Sequence, residues 1–532
     1  MKPQGSEVLT AEQKRLIALV GFTSFFFLNI EFLLGRFYAG FFGASIISWC
    51  LLISAFVIGF SIGQYLAFLY VGADANKPVW RVIAALFTGC AAFVFLILST
   101  KSWVVALAQK SLPPSILDEC LVYVLFVVPI TIQIGALSFL LYKRSVEVSS
   151  EPVRAISRVL IVGALGSAVG CIGHILAISN IDHFTSEYQL VFLGLALLFA
   201  SGVAVQKKKI FLAAGLTILA IFVANDLKVE PNLKHHVETP YANFRIFDLK
   251  RDDSITARGL AANYLGLWAC IMKFDTAGQL LDSTFFPVVV GEYALSRVEN
   301  PRKILIVGGG EGCQSQQIEK DAQRMGLKVE VDLLDIDPFL PRIASQFFNP
   351  MNARHKYIVG DARRWLAANG DQYDAIFVDA FFSGMVPTHL LSIEFYDLLH
   401  KHLAPGGAIL MDTIGQWGPE AKKPSAKTVM VAKIVNGLRA HHPEMAVELF
   451  SFARENGISE AGTANLIVVL SHLKPGIHDD KNPIAAAGPF QLNSQSTATI
   501  RRSFLQSLDL KAIDKFGVFT DNTNNSDFLF RM

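Results

Sequence analysis

The apolar positions of this chain fall into two regimes. Through roughly residue 225 they form long, nearly unbroken runs. Beyond it they become short runs of four to six, separated by amphipathic stretches and turn-forming residues. A run of about 20 apolar residues is what a helix needs to cross a bilayer. Candidate spans lie near 16–38, 45–70, 81–100, 119–142, 156–178, 187–206 and 210–225. The first is too long and too uninterrupted for a cleaved leader. The second regime has a different period. KILIVGGGEG reads as a strand and a glycine turn, QSQQIEKDAQRMG as a helix, and VEVDLLDIDP as a strand with an acidic end. KYIVGDARRWLAANG, YDAIFVDAFF and FYDLLHKHLAPGGAILMD continue the alternation. Strands alternating with helices predict a parallel, doubly wound sheet.

The expected architecture is an α-helical polytopic membrane domain of six or seven spans over 1–225, followed by three further segments. A small β region covers 226–298, where YANFRIFDL and ITARGL read as short strands. An α/β domain of Rossmann-like, class I methyltransferase type covers 299–475, and a polar extension covers 476–532.

Charge refines the picture of the first half. Basic residues cluster on alternate connections: Lys14 and Arg15, Lys77 and Arg81, Lys143 with Arg144, Arg154 and Arg158, and Lys207 to Lys209. The intervening loops carry few. By the positive-inside rule the amino terminus faces the cytoplasm, so a multi-pass inner-membrane protein is expected. The seventh run, IFLAAGLTILAIFVAN, is short for a span. If it does not cross, the carboxy-terminal half returns to the cytoplasm. Glu31 and Arg36 in the first span are charges that normally pair or line a polar path. Gly59 with Gly63, and Gly163, Gly166, Gly170 and Gly173, predict close helix packing.

Composition excludes several classes. With 47 basic against 45 acidic residues there is no nucleic-acid footprint. The six cysteines are scattered without metal-ligand or disulfide spacing, so no metal is expected and they read as small buried hydrophobes.

Candidate chemistry gathers at the strand ends of the second half. Gly308, Gly309, Gly310 and Gly312 let the backbone turn sharply and approach a ligand. Asp335 ends the next strand some 25 residues later, where an acid can accept from both ribose hydroxyls. Asp361 ends the third strand, and Asp379 the fourth. Each acid alone could instead cap the helix that follows it. His389 stands at a helix start.

These motifs, in this order, resemble the spermidine synthases (polyamine aminopropyltransferases), over about residues 236–475. The apolar first half resembles the membrane domain of fused transporter-like/spermidine synthase proteins. Glu31 with Arg36, the Gly59–Gly63 pair and VFTDN at 518–522 carry that likeness. The resemblance implies S-adenosylmethionine or its decarboxylated form as donor. Gly308, Gly309, Gly310 and Gly312 would hold its methionine-derived part and Glu311 its propylamine. Asp335 would take the ribose, and Asp361 with Ala362 the adenine. Asp379 would be the base that receives the proton of the attacking amine. The family's second acid in its D-S-S/T-D-P motif falls at Phe382, which puts putrescine as acceptor in question. The implied activity is aminopropyl transfer to an amine by a membrane-bound enzyme, with the bilayer and a small-molecule nucleophile as partners and a homodimer open to it. Methyl transfer to another small or membrane-delivered substrate is the alternative. A transporter-like protein with a nucleoside-sensing soluble domain is the alternative of another class.

Overall fold

The computed structural model describes residues 9–43, 45–72, 78–110, 115–180, 185–226, 232–251, 254–263, 267–350, 352–381, 386–417, 424–440, 442–456, 463–472, 484, 486–505, 510–526 and 529. The chain divides into two compact units, Met1–Pro231 and Asn232–Met532.

The first unit is helical: α1 (Ala11–Phe42), α2 (Ile46–Gly72), α3 (Val79–Ser99), α4 (Lys101–Lys110), α5 (Ile116–Val122), α6 (Val128–Glu147), α7 (Pro152–Asn180), α8 (Ser186–Ala204) and α9 (Lys208–Asp226). A π-helical turn, Tyr123–Val127, fuses α5 and α6 into one long helix. Among the described residues, six helices are long and apolar enough to cross a membrane; α9 is not among them, its apolar stretch being Lys209–Leu219. Exposed Val57, Ile58, Leu160, Ile161 and Val169 fit an apolar surround.

Small residues bring the backbones together, as expected from the sequence. A Cβ on Gly170 would lie 2.6 Å from the Phe25 carbonyl oxygen, and Gly63 and Gly135 face backbone of α6 and α2 in the same way. One end of the bundle gathers charge. Arg144 donates to Glu12 at 2.9 Å, Trp80 donates to the same carboxylate at 3.2 Å, and Arg15 stacks over the Trp80 ring at 3.6 Å. At the opposite end Lys101 pairs with Glu187 at 2.5 Å. Basic groups therefore concentrate on one end, in keeping with the alternation in the loops.

The second unit begins with an antiparallel sheet in the order β1 (Leu233–Glu238), β2 (Asn243–Arg251), β3 (Ser254–Ala262), β4 (Leu267–Lys273). Helix α10 (Phe286–Ser296), buried along its whole length, leads into the large sheet. Its elements are β5 (Lys303–Val307), α11 (Cys313–Arg324), β6 (Glu330–Asp335), α12 (Leu340–Phe347), β7 (Lys356–Val359), α13 (Ala362–Ala368), β8 (Tyr373–Val378), α14 (Ile393–His402), β9 (Leu403–Gly415), α15 (Ala426–Arg439), β10 (Ala446–Ser451), α16 (Phe452–Glu455) and β11 (Ala464–Ser471).

Seven strands align in the order β10-β11-β9-β8-β5-β6-β7. The pairs from β9 to β7 are parallel, and β11 runs antiparallel between β9 and β10. The near-continuous apolar runs ILIV, AIFV and AILM are what strands covered on both faces require. Those residues are fully buried, in two cores on opposite faces of the sheet. Strand order reverses between β5 and β8, and such a reversal opens a crevice at the strands' carboxyl ends.

The described residues of the carboxy-terminal extension include two helices packed on the large α/β core. Helix α17 (Ser494–Ser503) packs on α10, with Ser496 donating to buried Glu292 at 2.7 Å; α18 (Leu510–Asp514) packs on α15. Phe519 is fully buried, and Asp521 accepts from both terminal guanidinium nitrogens of Arg363 at 2.7 Å.

Candidate active site

The crevice is a cavity of about 620 Å³, lined from both sheets of the second unit. Gly308, Gly309, Gly310, Glu311, Asp335, Asp361, Ala362 and Asp379 all line it; Gly312 does not. Gly312 instead caps α11 with a left-handed backbone, φ 83°.

The glycine turn is shaped by close approach. Gly308 adopts φ 79°, and a Cβ there would fall against Ala380 and 2.5 Å from the Asp379 carbonyl oxygen. A side chain would therefore collide with the neighbouring strand end, and only glycine fits. Ladder bonds fix the turn: Gly308 donates to the Leu334 carbonyl at 2.8 Å, and the Asp379 amide to the Val307 carbonyl at 2.9 Å. These bonds set the ends of β6, β5 and β8 side by side.

Asp335 accepts from the Gly310 amide at 3.1 Å and from the Asp337 amide at 3.0 Å. Burial pushes its carboxyl up to about 6, and the backbone donors hold it back from a larger rise. Asp337 is tied to the first sheet by the Thr239 hydroxyl. Thr239 belongs to the ETPYANFRIFDL stretch, so this segment and the end of β6 share one corner of the cavity.

Glu311 is 2% exposed, and its Oε2 has no hydrogen-bond partner. Burial pushes the carboxyl up to about 8, with Asp335 and Asp379 adding to the rise. An orphaned carboxylate oxygen facing a cavity is a place for a donor supplied from outside.

Asp361 caps a helix while also lining the cavity. Its Oδ1 caps α13, accepting from the Arg364 amide at 2.9 Å, while its Oδ2 lies 3.3 Å from His389 Nε2. His389 thus faces the rim beside Asp361. The Asp521 latch lies next to it: Arg363 also donates to the His389 carbonyl at 3.1 Å, and Ser392 donates to Asp521 at 2.6 Å.

Burial pushes Asp379 up to about 7. Phe382 and most of the loop after it lie outside the described residues, as does much of the 415–427 loop. Two features escaped the sequence. Asp412 follows AILM on β9 just as Asp379 follows IFV on β8; that mirrored pattern was the available signal. Its neighbour Asn465, on β11, donates to Asp412 at 3.3 Å. The cysteine reading needs correction. Cys270 of β4 and Cys313 of α11 are joined as a disulfide, with Cα atoms 6.0 Å apart and a sequence separation of 43. Only the fold brings a strand of the first sheet over the start of α11, so spacing gave no hint of it.

The spermine/spermidine synthase domain model matches residues 288–445. A probable polyamine aminopropyl transferase from Bifidobacterium longum is 28% identical over 184 residues, 34% of this chain and 38% of that protein. Polyamine aminopropyltransferase 1 from Streptomyces coelicolor is 31% identical over 24% of this chain and 25% of its own. Putrescine N-methyltransferase 2 from Nicotiana attenuata is 28% identical over 28% and 41%. The chain thus spans less than half the length of each of these relatives. A crystal structure of a probable spermidine synthase from Corynebacterium glutamicum aligns at 15% identity and a TM-score of 0.39, covering 55% of this chain and 97% of that one. Residues 288–445 of this chain match the spermine/spermidine synthase domain, and six of the described helices ahead of them in sequence are apolar and long enough to cross a membrane.

Proposed function

We propose that the protein is a membrane-borne alkyl transferase that moves an aminopropyl group from decarboxylated S-adenosylmethionine to an amine. The observation that carries this is the charge of the cavity. Glu311, Asp335, Asp337, Asp361, Asp379 and Asp412 line it, against Lys273 and His389 alone among the described residues. A sulfonium donor and an ammonium acceptor are both cations, and such a lining attracts and orients both.

In this reading Asp335 accepts from the ribose, and the 308–312 turn cradles the sulfur-bearing arm. Glu311 meets the donor's primary ammonium, from which its orphaned oxygen accepts a charge-assisted hydrogen bond. Asp379, pushed up to about 7, takes the proton of the attacking amine near neutral pH. Displacement at the carbon next to sulfur needs mainly that the two reactants be held in line.

Methyl transfer from intact S-adenosylmethionine is the second reading, favoured by the similarity to putrescine N-methyltransferases. Glu311 separates the two, because the α-carboxylate of the intact donor would meet a buried acid. Mass spectrometry of products after incubation with each donor and a panel of amines tests the proposal. A mass gain of one aminopropyl group on an amine supports it. Methylated product, or no product with either donor, overturns it.

A further inference from the structure

The ends of β8 and β9 hold a second feature that the reaction as described does not use. Val378 pairs with Met411 in the parallel ladder, so Asp379 and Asp412 follow at the same level on neighbouring strands. Adjacent strands lie about 4.8 Å apart, and paired residues point to the same face. Asp412 is 1% exposed, and one of its two oxygens, Oδ1, has no hydrogen-bond partner. Leaving a buried acceptor unmet costs on the order of 1–3 kcal/mol, which a bound donor would offset.

The position of this pair among the other acids is also informative. In the sheet β8 lies between β9 and β5, so Asp379 stands between Asp412 and the donor-side acids at the ends of β5 and β6. Besides Asn465, which donates to Asp412, the lining there includes the apolar Ile414 and the ring pair Phe286–Phe452, centroids 5.6 Å apart. Among the described residues that line the cavity, every other carboxylate lies at Glu311, Asp335, Asp337 or Asp361, at the ends of β5, β6 and β7.

We propose that Asp379 and Asp412 together seat a single ammonium group, and that the acceptor is an amine with one cationic end and an apolar body lying along Phe286, Ile414 and Phe452. This rests on the alkyl-transferase reading and deepens it by naming the acceptor class. A diamine such as putrescine would need a second carboxylate at its far end, and Phe286, Ile414 and Phe452 supply none. Two carboxyls this close and this buried share a proton when empty, because both cannot ionise cheaply side by side. An arriving alkylammonium displaces that proton. In the transfer step the ammonium returns one proton to the pair, and the freed lone pair forms the carbon–nitrogen bond. The carbon–sulfur bond breaks with its electrons going to sulfur, leaving a neutral thioether and a secondary ammonium.

The test uses the detergent-solubilised full chain saturated with 5′-methylthioadenosine, the thioether that departs. Hexylamine and putrescine are titrated by calorimetry at pH 7 in two buffers of different ionisation enthalpy. Transfer from the decarboxylated donor is followed in parallel by mass spectrometry. Hexylamine should bind about tenfold or more tighter than putrescine, since an ammonium left among apolar groups loses at least one charged hydrogen bond. About one proton should be released per hexylamine bound. Asp412→Asn should weaken hexylamine about tenfold and abolish the release, while 5′-methylthioadenosine binding stays within about threefold. Asp412→Glu should keep part of both, and decides the matter if the Asn variant fails to fold. Glu311, Lys273 and His389 also face the cavity, so Glu311→Gln serves as control and should leave the release intact. Putrescine binding as tightly as hexylamine, or hexylamine binding that ignores Asp412, overturns the seat. Hexylamine bound as described with no product from any amine leaves the seat standing and removes the transfer reading. Transfer to putrescine with hexylamine refused does the reverse.

Discussion

Replacing Glu311 with Gln makes the donor-site reading quantitative. The Glu311 carboxyl sits at about 8 because burial, then Asp335 and Asp379, disfavour its charge. If it must ionise to hold the donor's ammonium, the fraction ready to bind is about a hundredth at pH 6, a tenth at pH 7 and a half at pH 8. Apparent affinity for decarboxylated S-adenosylmethionine should rise about tenfold, or about 1.4 kcal/mol, from pH 6 to 7. A further rise of about fivefold should follow to pH 8, with a plateau above. Asp335, at about 6, steepens the curve only below that pH. Glu311→Gln keeps shape and removes charge, so its profile should be nearly flat above pH 6. At pH 8.5 it should bind roughly 10- to 100-fold more weakly, the worth of one charged hydrogen bond. The assay is calorimetric titration from pH 6 to 9, repeated in an Asp379→Asn background to remove the other acid near neutrality. A flat profile for the parent protein, or an unchanged slope in Glu311→Gln, refutes the assignment. Stability runs the opposite way in the ligand-free protein. A carboxyl whose folded value lies above its ordinary 4.5 stabilises at low pH, and that contribution fades as pH rises through about 8.

Other outcomes follow from the same geometry. Asp379→Asn should lower kcat by about a thousandfold through loss of the proton acceptor, with donor affinity within about threefold, checked by single-turnover kinetics and calorimetry. Gly308→Ala forces a Cβ against the end of β8 at a positive φ; donor binding should fall at least tenfold, and a variant with ordinary affinity would contradict the close approach. Asp521→Ala frees Arg363 and Ser392 from a carboxylate that Arg363 holds down at about 2. Because the pair is partly exposed the stability loss should stay below about 1 kcal/mol, so the readout is faster proteolysis near His389 rather than a large fall in melting temperature. Maleimide labelling of the unfolded, unreduced chain should find two of the six cysteines blocked, and blocking should vanish in Cys270→Ser.

Much of this protein was legible from its sequence because the controlling physics is local or periodic. A helix able to cross a bilayer must satisfy its own backbone, so such helices show as unbroken apolar runs. A parallel sheet covered on both faces requires apolar strands, so ILIV, AIFV and AILM mark β5, β8 and β9 in order. The glycine turn and the acids Asp335, Asp361 and Asp379 stand out because ligands bind where such strands end. Tertiary structure decided what depends on which strands become neighbours. Sequence order places Asp412 thirty-three residues beyond Asp379, and only the pairing of β8 with β9 sets the two carboxylates side by side. Burial, which no sequence pattern states, turned Glu311 from a loop acid into a carboxyl poised near 8 with one oxygen unmet. Cys270 and Cys313 met because the first sheet folds over α11, and the described residues of the polar extension packed down because Phe519 found the core and Asp521 found Arg363. Local periodicity wrote the elements into the sequence; the charge state and pairing of the acids came from desolvation and strand order, which exist only once the chain has folded.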